Sequence, residues 1–165
     1  MQEVENFINH TEYTTYFENR GRALFQQYFD NSTHWINSTI EYTQNQYDNY
    51  DGIITKPSGK RIMLEIKARS KPRIELLPDI RIAQNKIDWI ADNYPLYDCK
   101  DFLIAVIEPT NKCMYIVHKD NYKNYYSNLH TWSIAKNKPD PTLTVEFVYS
   151  YKKTDLLKIE YDFNV

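Results

Sequence analysis

The sequence predicts a mixed α/β domain in which helices flank a central mixed β-sheet, and three observations lead to this fold class. The chain has 165 residues, which suits one compact domain, and its hydrophobic share of 42% is enough for a sizeable core. Apolar residues recur at helical spacing, then in short runs typical of strands, and then at helical spacing again. No repeat, low-complexity tract or linker interrupts this order, so we expect residues 1–165 to form a single domain.

The first half of the chain predicts one helix and three strands. Between residues 11 and 29, apolar and aromatic side chains return every three or four positions, which predicts a helix. Residues 38–43 predict a short strand, and residues 51–55 and 61–69 predict two more.

The next part of the chain predicts a second helix and two further strands. Residues 70–78 contain two prolines and are typical of a connection. Asp79 can cap a helix that covers residues 79–93. Strands are then expected at residues 101–107 and 113–118, on either side of a turn.

The C-terminal region predicts an appendage to this core. Residues 121–138 have no clear pattern, and a short helix is one interpretation. Residues 142–151 and 155–163 predict a closing β-hairpin. The core therefore covers about residues 11–118, and the appendage covers about residues 119–165.

Composition excludes several classes of protein. The charged share of 25% is ordinary for a soluble protein, and no apolar run is long enough to cross a bilayer, so no membrane partner is expected. The N-terminus lacks the basic start and apolar stretch of a signal peptide, which favours the cytoplasm. Cys99 and Cys113 lack a CxxC spacing and the histidines are far apart, which argues for reduced thiols and against a zinc site.

Positive charge is gathered in one segment although the net charge of the chain is -2. Between residues 56 and 73, Glu65 is the only acid among several cations. These cations are Lys56, Lys60, Arg61, Lys67, Arg69, Lys71 and Arg73. Such a segment can form an anion-binding face for nucleic acid. A solvated strand edge, where lysine is common, explains the same pattern, and both interpretations stay open.

The strand predicted at residues 61–69 has two different faces. Side chains alternate between the faces of a strand, so its aliphatic residues lie on one face and Glu65 and Lys67 project together from the other. The preceding residues suit a three-residue hairpin loop, because proline fits the first central position of a type I turn and Gly59 can adopt a left-handed conformation after it. Lys56 then faces Lys60.

In this register Asp51 faces Glu65 across the hairpin. Their Cβ atoms are then expected about 4.5–5.5 Å apart, where two like charges repel. A divalent cation removes the repulsion, since Mg²⁺ prefers oxygen ligands and commonly takes one or two carboxylates. Lys67 could then orient an attacking water or stabilise charge on a phosphate. The backbone carbonyl of Ile66 is a candidate additional ligand.

Asp51, thirteen intervening residues and then Glu65-Ile66-Lys67 resemble the motif of the PD-(D/E)XK nuclease superfamily, which includes restriction endonucleases and Holliday-junction resolvases. The resemblance covers about residues 11–118 and implies a restriction-endonuclease-like αβββαβ core. It also implies Mg²⁺- or Mn²⁺-dependent hydrolysis of phosphodiester bonds, with DNA as the expected partner. Asp51 and Glu65 would be metal ligands, and Lys67 would be the catalytic lysine.

Three further positions are candidates through this resemblance. Many members carry a glutamate on the first helix that joins the metal site, which Glu18 matches, although an exposed helix acid explains it equally well. Some members place a glutamine or lysine near the phosphate on the helix after the motif strand, and Gln84 and Lys86 are the candidates. Ordinary polar-face residues are the alternative for both. Asp48 could replace Asp51 if the register differed.

Two functions of different classes remain open. The first is a catalytic endonuclease acting on DNA, which the intact set of two acids and a lysine favours. The second is a catalytically silent module that keeps the fold and binds nucleic acid or a protein. The motif could also be accidental, but the second acid-x-Lys triplet, Asp98-Cys99-Lys100, lacks an apolar strand around it. Many enzymes of this superfamily act as dimers, so the resemblance also suggests that this protein forms a homodimer.

Overall fold

The structure, a computed structural model, describes residues 10–44, 48–69, 71–128, 130–134 and 143–163. The helices are α1 His10–Asn31, α2 Pro72–Glu75 and α3 Gln84–Asn93. The strands are β1 Thr39–Tyr42, β2 Gly52–Thr55, β3 Arg61–Ala68, β4 Asp79–Ala83, β5 Asp101–Glu108, β6 Cys113–His118, β7 His130–Ile134, β8 Leu143–Lys152 and β9 Leu157–Glu160. In this part of the chain, no helix has the length and apolar character needed to cross a bilayer.

The strands form two sheets. The larger has the order β1-β2-β3-β5-β6-β9, and its pairs are antiparallel except for β3 and β5, which run parallel. The smaller has the order β4-β8-β7 and is antiparallel. This confirms a mixed sheet flanked by helices.

Helix α1 covers one face of the large sheet. Its apolar stripe, which includes Leu24 and Phe25, belongs to the same buried cluster as Ile62, Leu64 and Ile66 of β3. These three aliphatic residues alternate along the strand, as predicted, and each contributes roughly 1.5–3 kcal/mol when fully buried. Their burial fixes which face of β3 looks toward α1, and the intervening residues must face the other way.

The opposite face of the large sheet packs against α3 and the small sheet. Met63 of β3 lies in a second buried cluster with Ile87 and Ile90 of α3. Ile80 and Ile82 of β4 complete this cluster from the small sheet. The residues that follow Met63 on the same face of β3 are Glu65 and Lys67, so the polar pair projects toward the side of α3.

The prediction of a helix over residues 79–93 is wrong in its first third. Residues 79–83 form strand β4, and helix α3 begins only at Gln84. Ile80 and Ile82 are both buried while Arg81 between them is exposed, which is strand alternation. Asp79 therefore caps no helix; its carboxylate accepts hydrogen bonds from Arg81 and Tyr126. The predicted connection at residues 70–78 contains the short helix α2.

The predicted C-terminal hairpin is also wrong. Strand β8 pairs with β4 and β7, whereas β9 pairs with β6 at the edge of the large sheet. A short 3-10 turn at Lys153–Asp155 carries the chain from one sheet to the other. Within residues 121–138 the described part contains strand β7 and no helix, and residues 129 and 135–138 of that prediction lie outside the described residues.

Candidate functional site

The hairpin between β2 and β3 has the register that its turn predicts. Thr55 pairs with Arg61 and Ile53 pairs with Met63. Lys56 donates its backbone N–H to the carbonyl of Lys60 at 2.9 Å. Gly59 has a φ of +88°, the left-handed conformation expected of it. The turn therefore sets the register of the hairpin as far as Gly52 and Leu64, directly before Asp51 and Glu65.

The regular pairing of β2 with β3 ends at Gly52, and the next residue, Asp51, bonds to β3 through both its backbone and its side chain. Its backbone N–H donates to the carbonyl of Leu64 at 2.8 Å, and its Oδ2 accepts the N–H of Ile66 at 2.7 Å. The carboxylate thus replaces a backbone carbonyl at the edge of β3. It is held beside Glu65, whose pKa it raises by charge repulsion.

Arg22 of α1 anchors Asp51 from the other side. Its Nε donates to Asp51 Oδ1 at 2.9 Å, and its Nη1 donates to the carbonyl of Thr43 at 3.0 Å. The guanidinium also lies over the ring of Tyr42, 5.4 Å from its centroid. Arg22 belongs to no motif, but it follows Glu18 by four residues, which places both on one helix face and could have identified it.

Glu65 is buried, with an exposed fraction of 9%. Desolvation and the nearby charge of Asp51 raise its pKa to about 8, while Lys86 and Lys67 oppose the shift. The Nζ of Lys86 lies 3.4 Å from Glu65 Oε1 and donates to the carbonyl of Asn49 at 3.1 Å. The ammonium group of Lys86 on helix α3 therefore pairs directly with the buried carboxyl group of Glu65.

Lys67 and Glu18 are exposed residues at the border of this cluster of charged side chains. Partial desolvation and the charge of Asp51 raise the pKa of Glu18, and the charges of Arg22, Lys86 and Lys67 oppose this shift. Glu18 is therefore within electrostatic reach of the other charged residues at the site, although its side chain is exposed. Gln84 is half-buried and is the first residue of α3, two positions before Lys86.

The predicted nucleic-acid-binding cations do not form one face. Near the start of β3, Lys56 lies over the ring of Trp35 at 5.3 Å, Lys60 lies 3.9 Å from Asp101, and Arg61 donates to the carbonyl of Tyr97. A strand rises about 3.3 Å per residue, so Arg61 is about 20 Å along β3 from Lys67.

Three of the remaining predicted cations follow the other end of β3. Arg69 donates to the carbonyl of Arg81 at 2.6 Å. Lys71 precedes helix α2 and is half-buried, and Arg73 is exposed within that helix. The basic segment is thus split between the two ends of the strand, and of its members Lys67 shares the site with Lys86.

The alternative motif residues lie elsewhere. Asp48 is exposed and raises the pKa of Tyr50, but Asp51 is the residue bonded to β3. Asp98 has a φ of +58° at the end of a 3-10 turn, so the second acid-x-Lys triplet lies in a loop. Both cysteines are free and buried.

The oxygen atoms that could hold a hard divalent cation are those of Asp51, Glu65 and the carbonyl of Ile66. Because the N–H and C=O of a strand residue point toward the same neighbouring strand, the carbonyl of Ile66 faces the edge where its N–H meets Asp51. Each carboxylate oxygen of Asp51 accepts one hydrogen bond and has a second lone pair available. In the part of the chain that the structure describes, no three His, Cys, Asp or Glu residues are grouped closely enough to hold a metal ion.

The arrangement combines two closely held carboxylates with cations from two different elements. Asp51 and Glu65 can share a cation, and Lys67 is exposed where it can meet an anionic ligand. Comparisons of the chain with protein-family models, curated proteins and solved structures found no match.

Proposed function

We propose that the protein is a metal-dependent nuclease that hydrolyses phosphodiester bonds in DNA on a restriction-endonuclease-like core. The observation that carries the proposal is the hydrogen bond of 2.7 Å from the Ile66 N–H to Asp51 Oδ2. It fixes one carboxylate to the strand that carries Glu65 and Lys67. The same three residues form the acid, acid and lysine set of the sequence motif.

Each residue of the set has a distinct role in this proposal. Asp51, Glu65 and the carbonyl of Ile66 would hold Mg²⁺ or Mn²⁺. When bound, such a cation polarises the scissile phosphate and lowers the pKa of a coordinated water. Lys67 orients the attacking water or stabilises the charge that develops on phosphate. Its exposure supports this role, because the ammonium must reach a ligand arriving from solvent.

Three residues at the border of the site would assist. Lys86 neutralises part of the charge on Glu65 in the ion pair of 3.4 Å, and in this proposal it also contacts the phosphate. The negative charge of Glu18 would help to attract a cation. Gln84 is the first residue of α3, the helix on the side of the sheet to which Glu65 and Lys67 project. Their contributions are expected to be smaller than those of the central three.

A catalytically silent binding module is the second candidate function. The site contains its own counter-ions, because Arg22 pairs with Asp51 at 2.9 Å and Lys86 pairs with Glu65 at 3.4 Å. A site of this kind can keep its structure without a metal ion. It would then bind a partner through the fold and leave the phosphodiester backbone intact.

Nicking of supercoiled plasmid DNA in Mg²⁺ or Mn²⁺ separates the two functions. We expect the wild type to nick the plasmid, and Glu65→Gln and Lys67→Ala to lose at least about a hundredfold in rate. Lys158→Ala is the matched control, because Lys158 is an exposed lysine of β9 that pairs with Glu160. A folded wild type that leaves plasmid intact in every divalent metal would favour the silent module instead. Equal nicking by Glu65→Gln would also reject this site.

A further inference from the structure

Three aromatic side chains form a continuous group beside the candidate site. The rings of Tyr50 and Trp89 stack with an interplanar angle of 11° and centroids 6.3 Å apart. Tyr97 meets Tyr50 edge-on at 5.1 Å and Trp89 at 6.1 Å. We call Tyr50, Trp89 and Tyr97 the aromatic strip.

The strip is partly open to solvent. Tyr97 has an exposed fraction of 38%, and Tyr50 and Trp89 are half-buried. Tyr50 and Trp89 pack against the apolar core and against each other, and each keeps part of its surface exposed. A flat aromatic surface with a packed back is rigid, and little side-chain entropy remains to be lost when a ligand stacks on it.

The strip is contiguous with the candidate site at one end. Tyr50 immediately precedes Asp51 in sequence. Trp89 follows Lys86 by three positions on α3, which places both on one face of the helix. Lys86 also ties the two regions together, since it reaches both Glu65 and the carbonyl of Asn49 next to Tyr50.

A second cation lies at the other end of the strip. Arg61 donates to the carbonyl of Tyr97 at 3.2 Å. The strip therefore runs between Lys86 and Arg61. Partly exposed aromatic side chains between two cations are a combination by which proteins hold single-stranded nucleic acid, because bases stack on the rings while phosphates meet the charges.

We propose that the aromatic strip stacks the unpaired bases of a DNA single strand whose phosphate enters the site at Glu65 and Lys67. The inference rests on the proposed function and names its substrate as DNA with unpaired nucleotides next to the scissile bond. A base inside a duplex has both faces covered by its neighbours, so a duplex cannot stack on Trp89 and Tyr97 without being opened.

Binding of a labelled oligonucleotide tests this substrate class without requiring cleavage. The affinities of a fluorescein-labelled 20-nucleotide oligo-dT and of a duplex of equal length are measured by anisotropy in EDTA at constant salt. We expect wild type to prefer the single strand. Tyr97→Leu and Trp89→Leu should each weaken single-strand binding about tenfold and leave duplex binding unchanged. Tyr126→Leu is the matched control, because Tyr126 has an exposed fraction of 54% and lies against β4 instead.

Melting temperatures ensure that only folded variants are compared, and Tyr97→Leu gives a test at an exposed position if Trp89→Leu does not fold. Equal binding of single strand and duplex by the wild type would overturn the inference. So would an equal loss for both DNA forms in Tyr97→Leu, or an equal loss of single-strand binding in Tyr126→Leu. If the protein nicks plasmid DNA but binds single-stranded and duplex DNA equally, the proposed role of the aromatic strip is rejected and the proposed nuclease activity is retained. If the protein prefers single-stranded DNA as expected but cleaves no DNA, the proposed nuclease activity is rejected and the proposed binding by the aromatic strip is retained.

Discussion

The buried carboxyl group of Glu65 ties the stability of the metal-free protein to pH. Its pKa rises from an ordinary 4.5 to about 8 because of desolvation and the charge of Asp51. Between these two values the folded protein retains a proton that the unfolded chain releases. The free energy of unfolding therefore falls as pH increases through this window and levels off above about 8.

Replacing Glu65 by glutamine should remove this dependence. In EDTA we expect Glu65→Gln to melt higher than wild type at about pH 8.5 and to differ little from it at about pH 5. The difference between the two melting curves isolates Glu65, since every other group titrates in both proteins. Glu160→Gln, an exposed substitution on β9, is the control. Identical pH profiles for wild type and Glu65→Gln would contradict the expected shift.

The pair of Arg22 and Asp51 is the second residue-scale feature. Only 29% of the Arg22 side chain and 13% of the Asp51 side chain are exposed, so their interaction at 2.9 Å is partly shielded from water. A double-mutant cycle with Arg22→Met and Asp51→Asn should give a coupling energy of about 1.5–3 kcal/mol by urea unfolding. The exposed pair of Lys158 and Glu160 should give about 0–1 kcal/mol. Equal coupling in the two cycles would refute the structural role of Arg22.

At the scale of elements, the close approach of α1 to β3 positions the site. A Cβ atom at Gly21 would lie 3.1 Å from Ile66 Cγ2 and 3.3 Å from Ala68 Cβ. Glycine therefore allows the helix to lie close to the strand. This contact sets the height of Glu18 and Arg22 above the sheet, because both lie within one turn of Gly21 on the same helix.

Gly21→Val should force the two elements apart. We expect a loss of about 1–3 kcal/mol in the free energy of unfolding from overpacking. Ala23→Val on the exposed side of α1 is the matched control, and it should lose only about 0.5 kcal/mol through helix propensity. Urea unfolding followed by circular dichroism measures both. If the two variants unfolded at the same urea concentration, the close approach would not matter for stability.

At the scale of the whole molecule, the C-terminal strand β9 forms one edge of the large sheet. Strand β9 pairs with β6, which is buried along most of its length. Leu156, just before β9, belongs to the core cluster on the side of α3. Residues 156–160 are therefore part of the main structure, and their removal would expose the edge of β6 to pairing with other molecules.

A chain shortened after residue 155 should therefore be less stable and should aggregate. We expect a clear drop in melting temperature and higher oligomers by size-exclusion chromatography, because both Leu156 and β9 are lost. A chain shortened after residue 160 keeps the β9 ladder and should lose less. A fully stable monomer ending at residue 155 would show that the large sheet does not need its last strand.

The sequence alone determined the hairpin at the centre of the molecule. Turn chemistry and period-two alternation are local properties, so the register of β2 and β3 could be predicted from a few neighbouring residues. The outlines of α1, β3 and β6 followed from equally local patterns. Strand β4 was also readable in principle, since Ile80 and Ile82 alternate with polar residues, but helical spacing from Ile80 through Ile87 competed with that pattern.

Tertiary structure alone decided which distant residues meet. Arg22 lies 29 positions before Asp51, and Lys86 lies 21 positions after Glu65, so no local rule connects either pair. The same holds for β8 and β9, which look like a hairpin in sequence but join different sheets. Their partners are chosen by the burial of side chains such as Tyr151 and Leu156 against a core that exists only once the whole chain has folded.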